Sequence, residues 1–423
     1  MNTNFNVTER YIANLLSQFP GLKSSAKRLY QKINYLIYKK NYSYQTKYQI
    51  QTIDSGERET FFGYYDKSPI CNNGKYIIYH ESEISTKKLP SATVPVFLKV
   101  YDLVKQKEIF SHESYAYNWQ QGSKAQWVND EEFIFNNFDK GEYVSIIANV
   151  KTGNLKKIPS PIYDCFKNQF ALTLNFERLM SLRPDYGYRN KPPLSNDDLF
   201  ELKNDGVFFI DFVSLKKEMI LSLQQIIEVG HKIQMDKATH KVNHIMVSPN
   251  GEKFMFLHRY FINKKRFDRL LIADVDGNNL KLLCDDEMVS HCCWVDNKTI
   301  ISYLRDKEFG DRFYRINIED ASKEILGEGI IDKYGDGHPT FNNYKVLFDT
   351  YPDKSRMKHL FIYDISSSKL EEIGGFYESL SYYGETRSDL HPRFSPDGEK
   401  IFFDSVHEGK RRLYWINLNS QSK

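Results

Sequence analysis

The sequence predicts an all-β fold, a seven-bladed β-propeller with a short α-helical N-terminal extension. Three observations lead there. Tyr and Phe number 29 each, a weight of aromatics that favours strands over helices. A turn of Asn, Asp or Gly followed by a short strand-forming run recurs seven times. Each such run is followed by a second, alternating run that breaks at a polar turn.

The first set is CNNGKYIIYH (71–80), WVNDEEFIFNNF (127–138), LNFERLMSLR (174–183), VSPNGEKFMFLHR (247–259), WVDNKTIISYL (294–304), FNNYKVLFDTY (341–351) and FSPDGEKIFFDS (394–405). The second runs from FLKVYDLVKQKEIF (97–110) through HLFIYDISSSKLEEI (359–373) to RLYWINLNSQ (412–421). In six units the polar turn leads into one more strand. Units of roughly 45–75 residues built this way are the blades of a propeller. The seventh lacks its outer strand, and TKYQIQTID (46–54) is a spare strand that would complete that blade and close the ring. The expected division is therefore a basic helical extension over 1–45 and the propeller over 46–423.

Within the extension, Thr8 can cap a helix through about Phe19, ended by Pro20-Gly21. A second helix from about Ser25 to Lys40 sets Leu29, Ile33, Leu36 and Ile37 on one face, with Lys27, Arg28, Lys32, Lys39 and Lys40 around it. Two readings stand side by side: a peripheral contact with an anionic membrane or a protein partner, or packing on the propeller's side.

Composition removes several classes. A net charge of +3 is too small for a general nucleic-acid binder. Five cysteines without a CxxC pair describe neither a disulfide framework nor a zinc ribbon, and Cys292 and Cys293 read as core. No window of about 18 apolar residues offers a transmembrane segment. The N-terminus lacks the basic start and continuous apolar stretch of a secretory signal, so the expected compartment is the cytoplasm.

Aligned by their turns, NHIMVS, SHCCWV, GHPTFN and LHPRFS put His244, His291, His338 and His391 at one position in four consecutive blades. Blades 1 to 3 hold Lys67, Lys124 and Ala171 there. That position begins the strand lining the central channel, so four histidines should converge on one mouth. Second strands return to the same face and bring His80, Arg183, His258, Arg259, Arg305, Tyr351 and His407, with Arg411 in the turn beyond. The long connection 183–205 supplies Tyr186, Tyr188 and Arg189 and exceeds the length usual for a plain loop. Arg387 and Arg393 flank His391.

A funnel of His, Arg and Tyr suits an anionic ligand. No facing carboxylate pair of the glycosidase kind is evident; Asp336, Asp389 and Asp404 read as groups that orient neighbouring His and Arg. Elimination beside a uronate carboxylate needs that charge neutralised, a base for the C5 proton and an acid for the leaving oxygen. These residue types supply all three.

HPRFSPDGEKIFFDS, HIMVSPNGEKFMFLHR, QQGSKAQW (120–127), SHCCWVD, GDGHPTF and DTYPDKSR (349–356) together resemble the propeller-type polysaccharide lyases. These are the oligogalacturonate lyases and propeller ulvan lyases, with relatives in surface-polysaccharide biosynthesis clusters. The resemblance covers roughly residues 50–418. It implies a lyase acting on an acidic, uronate-containing polysaccharide or oligosaccharide, tied to capsule or exopolysaccharide metabolism. It also implies a divalent metal, manganese or zinc, on His338 and His391 with His244 or His291, and Gln121 as a weaker ligand. By the same analogy Tyr188 or His244 is base or acid, His80 joins the catalytic set, and Arg183, Arg259 or Arg387 binds the carboxylate. Tyr186, Tyr351, His258, Arg393, His407 and Arg411 are further contacts. The competing reading is a non-catalytic propeller that binds an anionic glycan or a partner of the assembly machinery. A glycosyltransferase role finds no nucleotide-sugar motif.

Overall fold

The computed structural model describes residues 20–263 and 265–421. Seven antiparallel sheets form a seven-bladed β-propeller, their innermost strands being Glu59–Phe61, Gln126–Trp127, Asp164–Phe166, Thr239–Val247, Val289–Trp294, Thr340–Asn342 and Arg393–Phe394. Within each blade the chain runs outward, strand by strand, and then crosses to the next inner strand. Second strands such as Tyr76–Ser82 are buried along their whole length, because each blade is covered on both faces by its neighbours. Between blades 6 and 7 the contact is Leu347, Leu360, Ile401, Phe403 and Ile416, each worth about 1.5–3 kcal/mol when fully buried.

The turn signals do what their chemistry demands. In Ser395-Pro396-Asp397-Gly398, the Gly398 N–H donates to the Ser395 carbonyl at 2.8 Å, and Gly398 takes φ 74°, a conformation without side-chain penalty only for glycine.

Ring closure uses the segment before blade 1 twice. Tyr48–Thr52 pairs with Arg412–Gln421 and becomes the outer strand of blade 7. Tyr44–Thr46 pairs instead with Lys369–Tyr377 and gives blade 6 a fifth strand. All five cysteines are buried and unpaired.

Blade 3 departs from the expected pattern. Residues 174–183 carry the turn grammar, yet Phe176–Leu182 is an α-helix whose first amides, Glu177 N–H and Arg178 N–H, donate to the Asn175 side chain. Asn is a strong N-cap, and Glu, Arg, Leu and Met follow it with no β-branched residue to oppose a helix. The second strand of this blade is Phe170–Thr173. Ala171 therefore lies one strand further out than the histidine register implies.

A helix, α1, spans Pro20–Tyr38. Proline is well placed at the first helical position, where its missing N–H is not needed. The expected helix from Thr8 to Phe19 lies outside the described residues.

Candidate functional site

The four histidines of the register form an arc. Ring centroids are 5.9 Å apart for His244–His291, 4.0 Å for His291–His338 and 4.4 Å for His338–His391. Two tyrosines fill the centre. Tyr64 lies 5.3 Å from His244 and 4.9 Å from His391; Tyr65 lies 5.2 Å from His338. Both come from the loop that interrupts the inner strand of blade 1, between Phe61 and the bridge at Ile70. They carry no repeat signal, and sequence reasoning missed them.

The arc turns inward because the inner strands are irregular there. Pairing breaks between Asn243 and Met246 and between Val289 and Cys292, and His244 and His391 take φ 52° and 45°, a left-handed conformation uncommon outside glycine. Freed backbone groups find side chains instead. His244 N–H donates to the Tyr163 hydroxyl at 3.0 Å. Cys292 N–H donates to Tyr65 at 3.1 Å, and that hydroxyl donates to the Cys292 carbonyl at 3.0 Å. Asp349 accepts from both His338 N–H at 2.8 Å and His391 N–H at 3.1 Å. One carboxylate thus ties two blades at the mouth.

The two ends of the arc differ electrostatically. At one end His338 Nδ1 donates to Asp349 Oδ1 at 2.9 Å, and His391 Nδ1 donates to the Gly63 carbonyl at 2.9 Å. Because a carbonyl only accepts, His391 carries its hydrogen on Nδ1, which leaves Nε2 bare; that atom is buried and has no partner. His338, His391 and Asp389 offer one ligand atom each within 4.8 Å of one another. Burial opposes charge on His338, but Asp349, Asp389 and Asp336 hold its pKa above the ordinary imidazole value, whereas burial and the neighbouring charge of His338 push that of His391 well below it and leave His391 neutral, the form that ligates a metal. Imidazoles fixed by second partners and a nearby carboxylate are a donor set that fits manganese or zinc. Asp389, read from sequence as an orienting group, belongs to this set. His291 stands outside it, with Nδ1 3.1 Å from Asp336 Oδ1.

At the other end Tyr64 Oη is 2.9 Å from His244 Nδ1 and 3.4 Å from Tyr186 Oη. Burial, followed by the charges of Arg259, His291, Arg183 and Lys241, pushes the His244 pKa well below its usual value. These surroundings favour the neutral imidazole at His244. Tyr186 is held from the far side by Arg183, whose guanidinium lies 4.8 Å from its ring centroid and pairs with Asp185 at 2.8 Å.

Arg387 and Tyr351 stand at the opening. Arg387 donates to Asp389 at 2.7 Å and to Asp185 at 2.8 Å. Tyr351 is 43% exposed and edge-on to His338. With Asp389 they line a cavity of about 740 Å³ whose outer wall is α1, through Arg28, Gln31 and Lys32.

The remaining expected residues lie elsewhere, each for a visible reason. His80 is wholly buried beneath the 120–123 turn, stacked on Phe61 and bonded to Ser123 at 2.7 Å. Tyr188 stacks on Phe176 at 4.6 Å and accepts from Asn136 at 2.8 Å. His258 clusters in blade 4 with His240 and Tyr260, its Nε2 3.0 Å from His240 Nδ1. Arg393 pairs with Asp404 at 3.1 Å and lies over Phe62. Arg411 directs its terminal nitrogens at the carbonyls of Trp119, Thr386 and Arg387. His407 packs among Tyr44, Phe376 and Tyr414. Arg259 pairs with Asp268 at 3.0 Å and donates to the Val289 carbonyl at 3.3 Å, behind His291, and its charge acts on His244. Gln121 donates to Tyr163 at 3.2 Å, behind Tyr64, beside Lys124 and Asp66.

By fold the chain is similar to the solved oligogalacturonate lyases. One is an oligogalacturonate lyase in complex with manganese, at TM-score 0.59 and 14% identity over 90% of this chain and 95% of that one. Another is the oligogalacturonate lyase of Vibrio parahaemolyticus, at TM-score 0.57 and 13% identity over 88% of this chain and 96% of that one. At such identities the likeness establishes the fold. No protein-family model matches the chain, and no curated protein matches it.

Proposed function

We propose that the protein is a polysaccharide lyase that cleaves an acidic, uronate-containing glycan by β-elimination. The observation that carries this reading is the layout of the arc: His338, Asp389 and His391, whose ligand atoms lie within 4.8 Å of one another, face, across Tyr64, a His244 in contact with a phenol. A divalent metal on the cluster would neutralise the uronate carboxylate and so acidify the C5 proton. His244 takes that proton. The electron pair left on C5 forms the C4–C5 double bond as the C4–O bond breaks, and the hydroxyl of Tyr64 or Tyr186 protonates the departing oxygen. Arg387 and Tyr351, at the opening, hold the sugar that enters, and the cations of α1 attract the rest of an anionic chain. We connect the activity with capsule or exopolysaccharide metabolism on the strength of the resemblance to relatives in surface-polysaccharide clusters.

The test is incubation of the purified protein, with and without manganese, against a panel of acidic polysaccharides, reading the ultraviolet absorbance of the unsaturated uronate product. Product that disappears in His244→Ala supports the reading. Binding of an acidic glycan without product, across metals and uronates, supports the non-catalytic propeller instead.

A further inference from the structure

Helix α1 sits on the propeller inside out. Amphipathic helices of globular proteins bury their apolar stripe, and here the reverse holds. The side turned to the propeller carries Gln31, Asn34 and Tyr35: Asn34 is 9% exposed, and Tyr35 stacks on Tyr377 at 5.6 Å. The apolar stripe faces outward, with Leu29 60%, Ile33 48%, Leu36 60% and Ile37 67% exposed. Tyr38 and Tyr44, although partly exposed, turn to the propeller instead, Tyr38 beneath Lys354 and Tyr44 against His407.

The charge around this stripe is one-sided. Between Pro20 and Ile53 there are seven Lys and Arg and no acidic residue, while the whole chain carries a net +3; the rest of the protein therefore nets −4. Lys32, Lys39 and Lys40 are exposed beside or just past the stripe. Leu and Ile on the outward side of a helix with basic residues at its flank are the features of a segment that lies in a bilayer interface. No described helix is long and apolar enough to cross a membrane.

We infer that α1 docks the protein peripherally on an anionic lipid surface, with Leu29, Ile33, Leu36 and Ile37 entering the acyl boundary and the lysines meeting the headgroups. Because α1 also walls the cavity that opens on Asp389, this contact turns the histidine mouth toward the bilayer. The inference is independent of the lyase reading, since it uses none of the arc residues.

The experiment is co-sedimentation of the full chain with phosphatidylcholine vesicles with and without phosphatidylglycerol, alongside the oligomeric state by light scattering. Binding is expected with phosphatidylglycerol, to weaken as salt is raised, and to fall at least about ten-fold in Lys39→Glu/Lys40→Glu. It should be lost in Leu29→Gln/Ile33→Gln/Leu36→Gln, whose substituted side chains are already exposed and whose melting temperature should match the native protein. Vesicle binding unchanged in the triple variant overturns the inference. So does a monomer that ignores phosphatidylglycerol, and so does a native dimer that the triple variant splits, which would assign the stripe to a second copy of the chain.

Discussion

His338 and Asp349 are joined twice: the Asp349 carboxylate accepts both the ring Nδ1–H at 2.9 Å and the backbone N–H at 2.8 Å of the same histidine. The backbone N–H holds the carboxylate in place and the carboxylate holds the ring, so rotation of the ring costs its Nδ1–H bond and Nε2 is left for the cluster with Asp389 and His391. Asp349→Asn keeps the size but loses the charge that fixes the tautomer. Manganese affinity, measured by titration of the metal-free protein, is expected to fall about 10–100-fold, with the melting temperature lowered as blades 6 and 7 lose their shared acceptor.

Two tyrosines that look alike in sequence should behave differently. Tyr64→Phe removes the hydroxyl bonded to His244 and should lower turnover about 10²–10⁴-fold. Tyr188→Phe removes only a bond from Asn136, worth about 1 kcal/mol of stability. Its turnover should equal the native value, and the reverse result would make Tyr188, not Tyr64 or Tyr186, the acid.

Gly122 and His80 form a packing unit. A Cβ on Gly122 would stand 2.3 Å from the His80 ring, and the residue has φ +58°. Gly122→Ala should cost about 1–3 kcal/mol in urea unfolding. His80→Gln should likewise lower stability while leaving turnover per folded molecule unchanged.

His359 supplies a pH-dependent increment of stability. Burial works against its charge, but Asp353 and Glu372, the latter 2.7 Å from Nδ1, hold its pKa up to about 9. The folded state thus binds this proton more tightly than the unfolded chain, whose value is about 6.5. The stabilisation is complete below about pH 6.5 and is lost as pH rises through about 9. The melting-temperature gap between the native protein and His359→Gln should be wide near pH 6 and nearly closed near pH 10.

The repeat grammar was readable because each blade solves the same problem: a tight turn, then a strand buried on both faces. His244, His291, His338 and His391 shared one offset from those turns, so their convergence was readable too. Tyr64, Tyr65 and Tyr163 were not, because they reach the arc from irregular backbone whose course depends on which bulge accepts which hydroxyl. His80, His258 and Arg411 occupied promising offsets, but a two-residue period cannot tell the channel side of a strand from the side packed against the next blade. In blade 3 the cap at Asn175 overrode the pattern. Asp389 stood two residues from His391 in plain view, and only the fold around Lys358 and Arg387 gives its carboxylate a place in the cluster.

The segment 44–52, which leads into blade 1, grips two adjacent sheets on the way, Tyr44–Thr46 in blade 6 and Tyr48–Thr52 in blade 7. Six residues earlier the same chain is α1, the wall of the cavity. Any fluctuation that loosens the closure of the ring must also shift that wall, so breathing of the propeller and opening of its mouth are one mechanical coordinate.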